Sequence, residues 1–161
     1  MIFNKKKQII IYMFNLFQII EAKKEKEIQL CVDIRKEVFI SEQGVDPRIE
    51  IDNLDYKCEH ILAFYKNQPV ATARLQKISE EKYKVGRMAV RQKHRRYGIG
   101  SKILQFIENH LKKKQIKLVE LNAQKYVEKF YLKNGYFTVG DEFLEADILH
   151  IKMQKNIISS L

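Results

Sequence analysis

A chain of 161 residues, 45% of them apolar, holds one well-buried core and too little material for two ordinary domains. With 31% charged residues, nine Phe and eight Tyr, a wholly disordered chain is excluded. The formal charge of +10 favours anionic partners without choosing among nucleic acid, anionic lipid and phosphorylated small molecules, and two cysteines are too few for a disulfide framework, which points to a reducing, cytoplasmic compartment.

The opening run MIFNKKKQIIIYMFNLFQIIEA has the charged-then-apolar order of a leader. No small-residue cleavage site follows, and the twelve residues from Ile9 to Ile20 are too few to span a bilayer, so stable membrane insertion is not expected. A leader and a ragged extension are both readings of residues 1–14. The plainer one starts a strand at about Asn15 to Glu21 and makes 15–161 a single domain. Lys5 to Lys7, like Lys112 to Lys114 further on, read as solvated surface.

From Lys23 the spacing turns helical, with Ile28, Val32, Arg35 and Phe39 on one side and Cys31, Ile34 and Val38 beside them, and the helix is expected to stop before Gly44. Arg35 interrupts its inner face. An unpaired charge there is costly, so it needs an anion, either an internal carboxylate or a bound phosphate. A long polar connection, SEQGVDPRIEIDNLDYKCE, follows, and such loops often line sites. Cys58 and His60 have no second pair at ligand spacing, so no metal site is expected.

Three extended runs, HILAFY, PVATARLQKI and KYKVGRMAV, read as a meander. A basic, glycine-bearing turn, RQKHRRYGIG, then opens a helix from about Gly98 to Lys114, and IKLVELNA returns as a strand parallel to the one before the helix. A second helix, QKYVEKFYLKN, ends at Asn134 and Gly135, where glycine can close it in the left-handed conformation. Two final strands, about Tyr136 to Glu145 and Ile148 to Gln154, form a hairpin. The expected architecture is α+β, with a mixed sheet of six or seven strands and about four helices.

A helix mouth preceded by glycines supplies converging N–H donors and the positive end of the helix dipole, which is what a phosphate requires. Gly98 and Gly100 allow the turn and a close backbone approach; Arg95, Arg96 and Lys102 add charge. The spacing fits neither the P-loop nor the dinucleotide fingerprint, whose third small residue is replaced by Ile103.

RRYGIG following GRMAV resembles the Arg/Gln-x-x-Gly-x-Gly/Ala pyrophosphate loop of the GNAT superfamily of N-acetyltransferases, and FYLKNGY, about thirty residues on, resembles that superfamily's FYxKxGF segment. IRKEVFISEQ, KVGRMAV, AQKYVEKFY and LHIKM, in that order, are similar to the small ElaA-like members. The likeness covers nearly the whole chain. Two departures stand out: Arg96 occupies a position often held by Gly, and AQKY lies where many members carry an Asn, so Asn122, earlier in the strand, is given no cofactor role.

The resemblance implies the GNAT fold, acetyl-CoA as acetyl donor, no metal, and a primary amine as acceptor. It places the backbone of Met88, Ala89 and Val90 against the pantetheine arm, and Arg95, Arg96, Tyr97, Gly98, Ile99, Gly100, Ser101 and Lys102 around the pyrophosphate. Tyr131 matches the tyrosine that protonates the departing thiolate, and otherwise reads as a core aromatic beside Phe130. An amine of pKa about 10.4 is neutral about 0.04% of the time at pH 7, a handicap of about 4.6 kcal/mol, so a base or a desolvating pocket is needed. Glu42 and His150 are the candidates for the base. Arg35, Gln43, His60, Arg74 and Gln124 are candidates for the acceptor side.

The positive balance with Arg35 and Arg74 suggests a small anionic amine, and the resemblance, through compact GNAT enzymes that act on glucosamine 6-phosphate, implies that sugar. A protein or peptide amine and a catalytically silent CoA-binding module are the alternatives, with a polyamine disfavoured by the basic surface. A nucleic-acid module is disfavoured because the basic turn is not a stripe interleaved with aromatics. A homodimer is common in such families.

Overall fold

The computed structural model describes residues 16–158; the expected extension over residues 1–14, Lys5 to Lys7 included, lies outside them. Strand β1 is Phe17–Ala22, and helix α1, Glu25–Arg35, continues without a break into π-helical turns over Lys36–Glu42. The expected helix is therefore present to its expected end, with its second half wound wider. Lys23 and Lys24 donate their backbone N–H groups to the Glu27 carboxylate, which closes the first turn of α1. The polar connection folds into one helical turn, α2, Pro47–Glu50, which Asp46 caps by accepting from the Arg48 N–H, and a 3-10 turn at Asp55–Lys57.

Then come β2 (Glu59–Tyr65), β3 (Gln68–Ser79), β4 (Lys82–Val90), α3 (Ile99–Lys113), β5 (Leu118–Gln124), α4 (Glu128–Lys133), β6 (Phe137–Glu145) and β7 (Ile148–Asn156). Together the strands make one seven-stranded sheet in the order β1-β2-β3-β4-β5-β7-β6. Every pair is antiparallel except β4 with β5, the pair joined through α3. The expected second helix starts later than its apolar pattern suggested, because Lys125–Val127 is a 3-10 turn.

Alternation along the strands feeds two cores. On one face Ile61, Ala73, Leu75, Val85, Leu121 and Met153 pack against Ile103, Leu104, Ile107 and Leu111 of α3. On the other, Ala22, Leu62 and Ala89 meet Cys31 and Ile34 of α1 and Val38 of the π-helical turns, a smaller cluster covering only the β1 to β4 half. Beyond α1 that second face carries polar side chains.

The β6–β7 turn places Ala146 at φ 50° and Asp147 at φ 60°. Two consecutive left-handed residues define a type I′ hairpin, whose preferred sequences are Asn-Gly and Asp-Gly. Alanine there crowds its Cβ against the following carbonyl. Ala146→Gly is expected to stabilise the fold by roughly 0.5–1 kcal/mol, read as a higher urea midpoint; an unchanged or lower midpoint would show that the turn carries no such strain.

Candidate active site

β4 and β5 pair only from Lys82 with Leu118 to Val85 with Leu121, although β4 runs on to Val90 and β5 to Gln124. The cause lies in β4. Its register with β3 passes from Gly86 opposite Arg74 to Ala89 opposite Thr72, so Arg87 and Met88 together face Ala73. This is a bulge, with Arg87 at φ 50°, and a bulge bends its strand and ends pairing on the far side. A cleft of 740 Å³ occupies the gap between the splayed strands.

Charge holds the bulge open. Arg87 donates from Nη2 to the Ile49 carbonyl (2.9 Å) and pairs through Nε with Glu50 (2.8 Å). Glu50 also takes Arg35 Nε at 2.6 Å, and Arg35, 0% exposed, reaches Asp55 at 2.7 Å and the Glu50 carbonyl at 2.7 Å. Arg74 completes the cluster by donating to Asp52 (2.6 Å) and Asp55 (2.8 Å). Three guanidiniums thus face three carboxylates. Burial pushes Asp52 and Asp55 upward, but the arginine hydrogen bonds outweigh it and hold both below the ordinary carboxylate range. At Glu50 burial wins and raises the carboxyl.

One end of the cleft is the mouth of α3. Gly98, at φ 71°, caps the helix, and its carbonyl accepts the Lys102 N–H, so the N–H groups of Ile99, Gly100 and Ser101 precede the first helical bond. Arg96 is also left-handed, at φ 69°. A Cβ on Gly100 would lie 2.9 Å from the Phe130 ring, so glycine there is what lets α3 and α4 approach. Phe130 in turn meets the ring of Tyr131 edge-on, at 4.9 Å between centroids. Tyr131, 8% exposed, lines the cleft with its hydroxyl directed to the Met88 sulfur at 3.7 Å. Burial drives its phenol well above the ordinary tyrosine value, so it keeps its proton throughout the physiological range.

The other end opens on the polar face of the sheet. His150 is 7% exposed and stacks on the Phe143 ring at an interplanar angle of 24°. Its Nδ1 sits 2.7 Å from the Ile148 carbonyl, which can only accept a hydrogen bond, so Nδ1 carries the hydrogen and the neutral ring has its lone pair on Nε2. Gln124, opposite His150 in register, exchanges amide hydrogen bonds with Gln43, and Tyr126 joins both. Asn122 donates to Glu145 at 2.8 Å.

The structure gathers most of the expected residues. Met88, Ala89, Val90, Arg95, Arg96, Gly98, Ile99, Gly100, Ser101, Tyr131, Gln43, Arg74, Gln124 and His150 all line the one cleft. Five others lie outside that lining. Arg35 lies beneath the cleft, paired to internal carboxylates. His60 is buried, 2.9 Å from the Asp55 carbonyl, and does not line the cleft. Glu42 is turned to Arg95, 2.6 Å away, which draws it to the glycine turn. Tyr97 is 74% exposed, and Lys102 lies over the Phe17 ring. Sequence reasoning missed Lys84, Arg87, Asp52, Tyr126 and Glu145, all in the cleft. Alternation in KYKVG does place Lys84 opposite the buried Tyr83 and Val85, but not which neighbours leave that face open.

The Acetyltransferase (GNAT) domain family matches residues 20–157. Two Bacillus subtilis (strain 168) proteins, YyaT and the uncharacterized N-acetyltransferase YjcF, are 36% and 34% identical over 136 residues each, covering 83% and 84% of this chain and 91% and 96% of theirs. Escherichia coli ElaA is 29% identical over 141 residues, and its crystal structure superposes with a TM-score of 0.71 over 87% of this chain and 98% of that one. A GNAT acetyltransferase from Elizabethkingia anophelis, solved with acetyl-CoA bound, shares the fold at a TM-score of 0.69 and 19% identity, over 87% of this chain and 97% of that one. The chain belongs to the GNAT acetyltransferases, ElaA among its relatives, and is an acyltransferase by family and by fold.

Proposed function

We propose that this protein moves the acetyl group of acetyl-CoA to the nitrogen of a primary amine by direct attack on the thioester. The observation that carries the reading is the cleft itself: a gap between splayed strands that ends at a glycine-cradled helix mouth, with Tyr131 and His150 both lining it. The ladder between β4 and β5 ends at Val85, so the edge of β4 from Gly86 to Val90 is available to a pantetheine arm in the way a sheet edge takes an added strand. The N–H groups of Ile99, Gly100 and Ser101, with Arg95 and Arg96, suit a pyrophosphate.

Within this frame each residue has a proton to move or a charge to meet. His150 Nε2 takes a proton from the acceptor ammonium. The freed nitrogen attacks the thioester carbon, a backbone N–H near Met88 polarising the carbonyl, an effect typically worth about 3–4 kcal/mol. As the N–C bond forms and the C–S bond breaks, the Tyr131 phenol gives its proton to the departing sulfur, and the second proton shed by the new amide nitrogen passes through water to restore the phenol. Glu42, engaged by Arg95, is the poorer base.

Glucosamine 6-phosphate was suggested by Arg35 and Arg74. Both are neutralised by carboxylates, so an anionic acceptor has to find another cation. Incubating the purified protein with acetyl-CoA and a panel of amines, while following thiol release and mass gain, tests the reading. Amine-dependent release is expected. Tight CoA binding without turnover would favour a silent binding module instead.

Gly100→Arg is expected to weaken CoA binding at least about tenfold, or about 1.4 kcal/mol, because the side chain fills the cradle and displaces Phe130. Calorimetric titration with CoA measures it. An unchanged affinity would move the phosphate site elsewhere.

A further inference from the structure

The cations of the acceptor half divide sharply. Arg74 and Arg87 are each held by two carboxylates. Lys84 is half-buried and lines the same cleft, yet among the described residues no carboxylate oxygen lies within 4.0 Å of its ammonium. Its register neighbours explain this. Gln76 on β3 is neutral, and Glu120 on β5 is already taken by Lys82 and by Lys152, the latter at 3.3 Å. In the same cleft, among the described residues, Glu145 accepts only from the Asn122 amide and has no cation within 4.0 Å, while His150 presents its Nε2.

An acceptor carrying nothing but ammonium groups would meet Lys84 as an uncompensated like charge. One that is cationic at one end and anionic at the other matches both features. We propose that Lys84 is a specificity-determining residue, holding an anionic substituent, carboxylate or phosphate, of an amine whose nitrogen sits toward Glu145 and His150. A lysine ammonium is a compact point charge with three donors and takes either anion. The inference rests on the acetyl-transfer reading and adds the substrate class: small amines bearing an anionic group.

Matched acceptors test it. Glucosamine 6-phosphate is set against glucosamine, and ω-amino acids from glycine to 6-aminohexanoate against the corresponding alkylamines, with acetyl-CoA and thiol release as the readout. The anionic member of at least one pair is expected to have a kcat/KM about tenfold or more higher. Lys84→Gln should bring that ratio close to one, and Lys84→Arg should restore most of it, with CoA affinity the same in all three proteins. The phosphate and carboxylate arms identify which anion is preferred. Equal use of both members by the native protein, or an undiminished ratio in Lys84→Gln, overturns the assignment.

If no amine releases thiol, the transfer reading fails on its own, and Lys84 is judged by calorimetry on the CoA-saturated protein. Binding of glucosamine 6-phosphate that exceeds that of glucosamine and is lost in Lys84→Gln supports the anion site. Absent or Lys84-independent binding removes it.

Discussion

Arg35→Ala is expected to lower stability by about 3–5 kcal/mol, the cost of leaving a buried charge without its partner. The guanidinium is fully enclosed and makes three hydrogen bonds, to Glu50, Asp55 and the Glu50 carbonyl. Without it, three carboxylates face two guanidiniums, and the Glu50 carboxylate, itself buried, loses its enclosed partner. Because Glu50 also holds Arg87, loosening it loosens the bulge that separates β4 from β5. The variant should therefore lose CoA affinity along with stability, even though Arg35 does not line the cleft. Urea unfolding and CoA titration check the two halves, and Glu50→Gln in the Arg35→Ala background should recover part of the stability. A loss below about 1 kcal/mol would mean that the cluster is far better solvated than its burial indicates.

The same cluster fixes a sign for pH. Asp52 and Asp55 have folded values below their ordinary ones, so their contribution is complete above about pH 4 and is lost as pH falls through the lowered values. Glu50, raised by burial, works in the opposite sense at higher pH. Removing Arg35 takes away one of the two guanidiniums that depress Asp55, so the acid transition of Arg35→Ala should move to higher pH.

Much of this was legible in the chain. The order of strands and helices follows from alternation, helical spacing and glycine stops, and the phosphate loop from its glycines and arginines. The bulge was not legible, because Gly86, Arg87 and Met88 continue the strand pattern and nothing local marks φ 50° at Arg87. It is imposed from α2 and its loop, whose acids are distant in sequence. For the same reason Arg35 could be seen to need an anion, with Glu50 and Asp55 as its partners visible only in three dimensions. Glu42 shows the converse: its segment suggested a catalytic base, and Arg95, far along the chain, takes its charge.

Tyr131→Phe is expected to reduce kcat by at least about 100-fold, the lower end of what a positioned general acid contributes, while CoA affinity changes less than about twofold. The ring is packed between Phe130 at 4.9 Å and Tyr136 at 5.8 Å, contacts that phenylalanine keeps. The hydroxyl's partner is the Met88 thioether, a weak acceptor, so its removal orphans no strong group and stability should shift by no more than about 0.5 kcal/mol. With the phenol raised far above its ordinary value, Tyr131 stays protonated across the working range, and any alkaline fall in rate belongs to another group. A donor that leaves without a proton separates chemistry from packing. For 4-nitrophenyl acetate, whose nitrophenolate needs no acid, the variant's deficit should largely disappear. Equal losses with both donors would assign Tyr131 to shaping the cleft, and undiminished turnover with acetyl-CoA would remove it as the acid altogether.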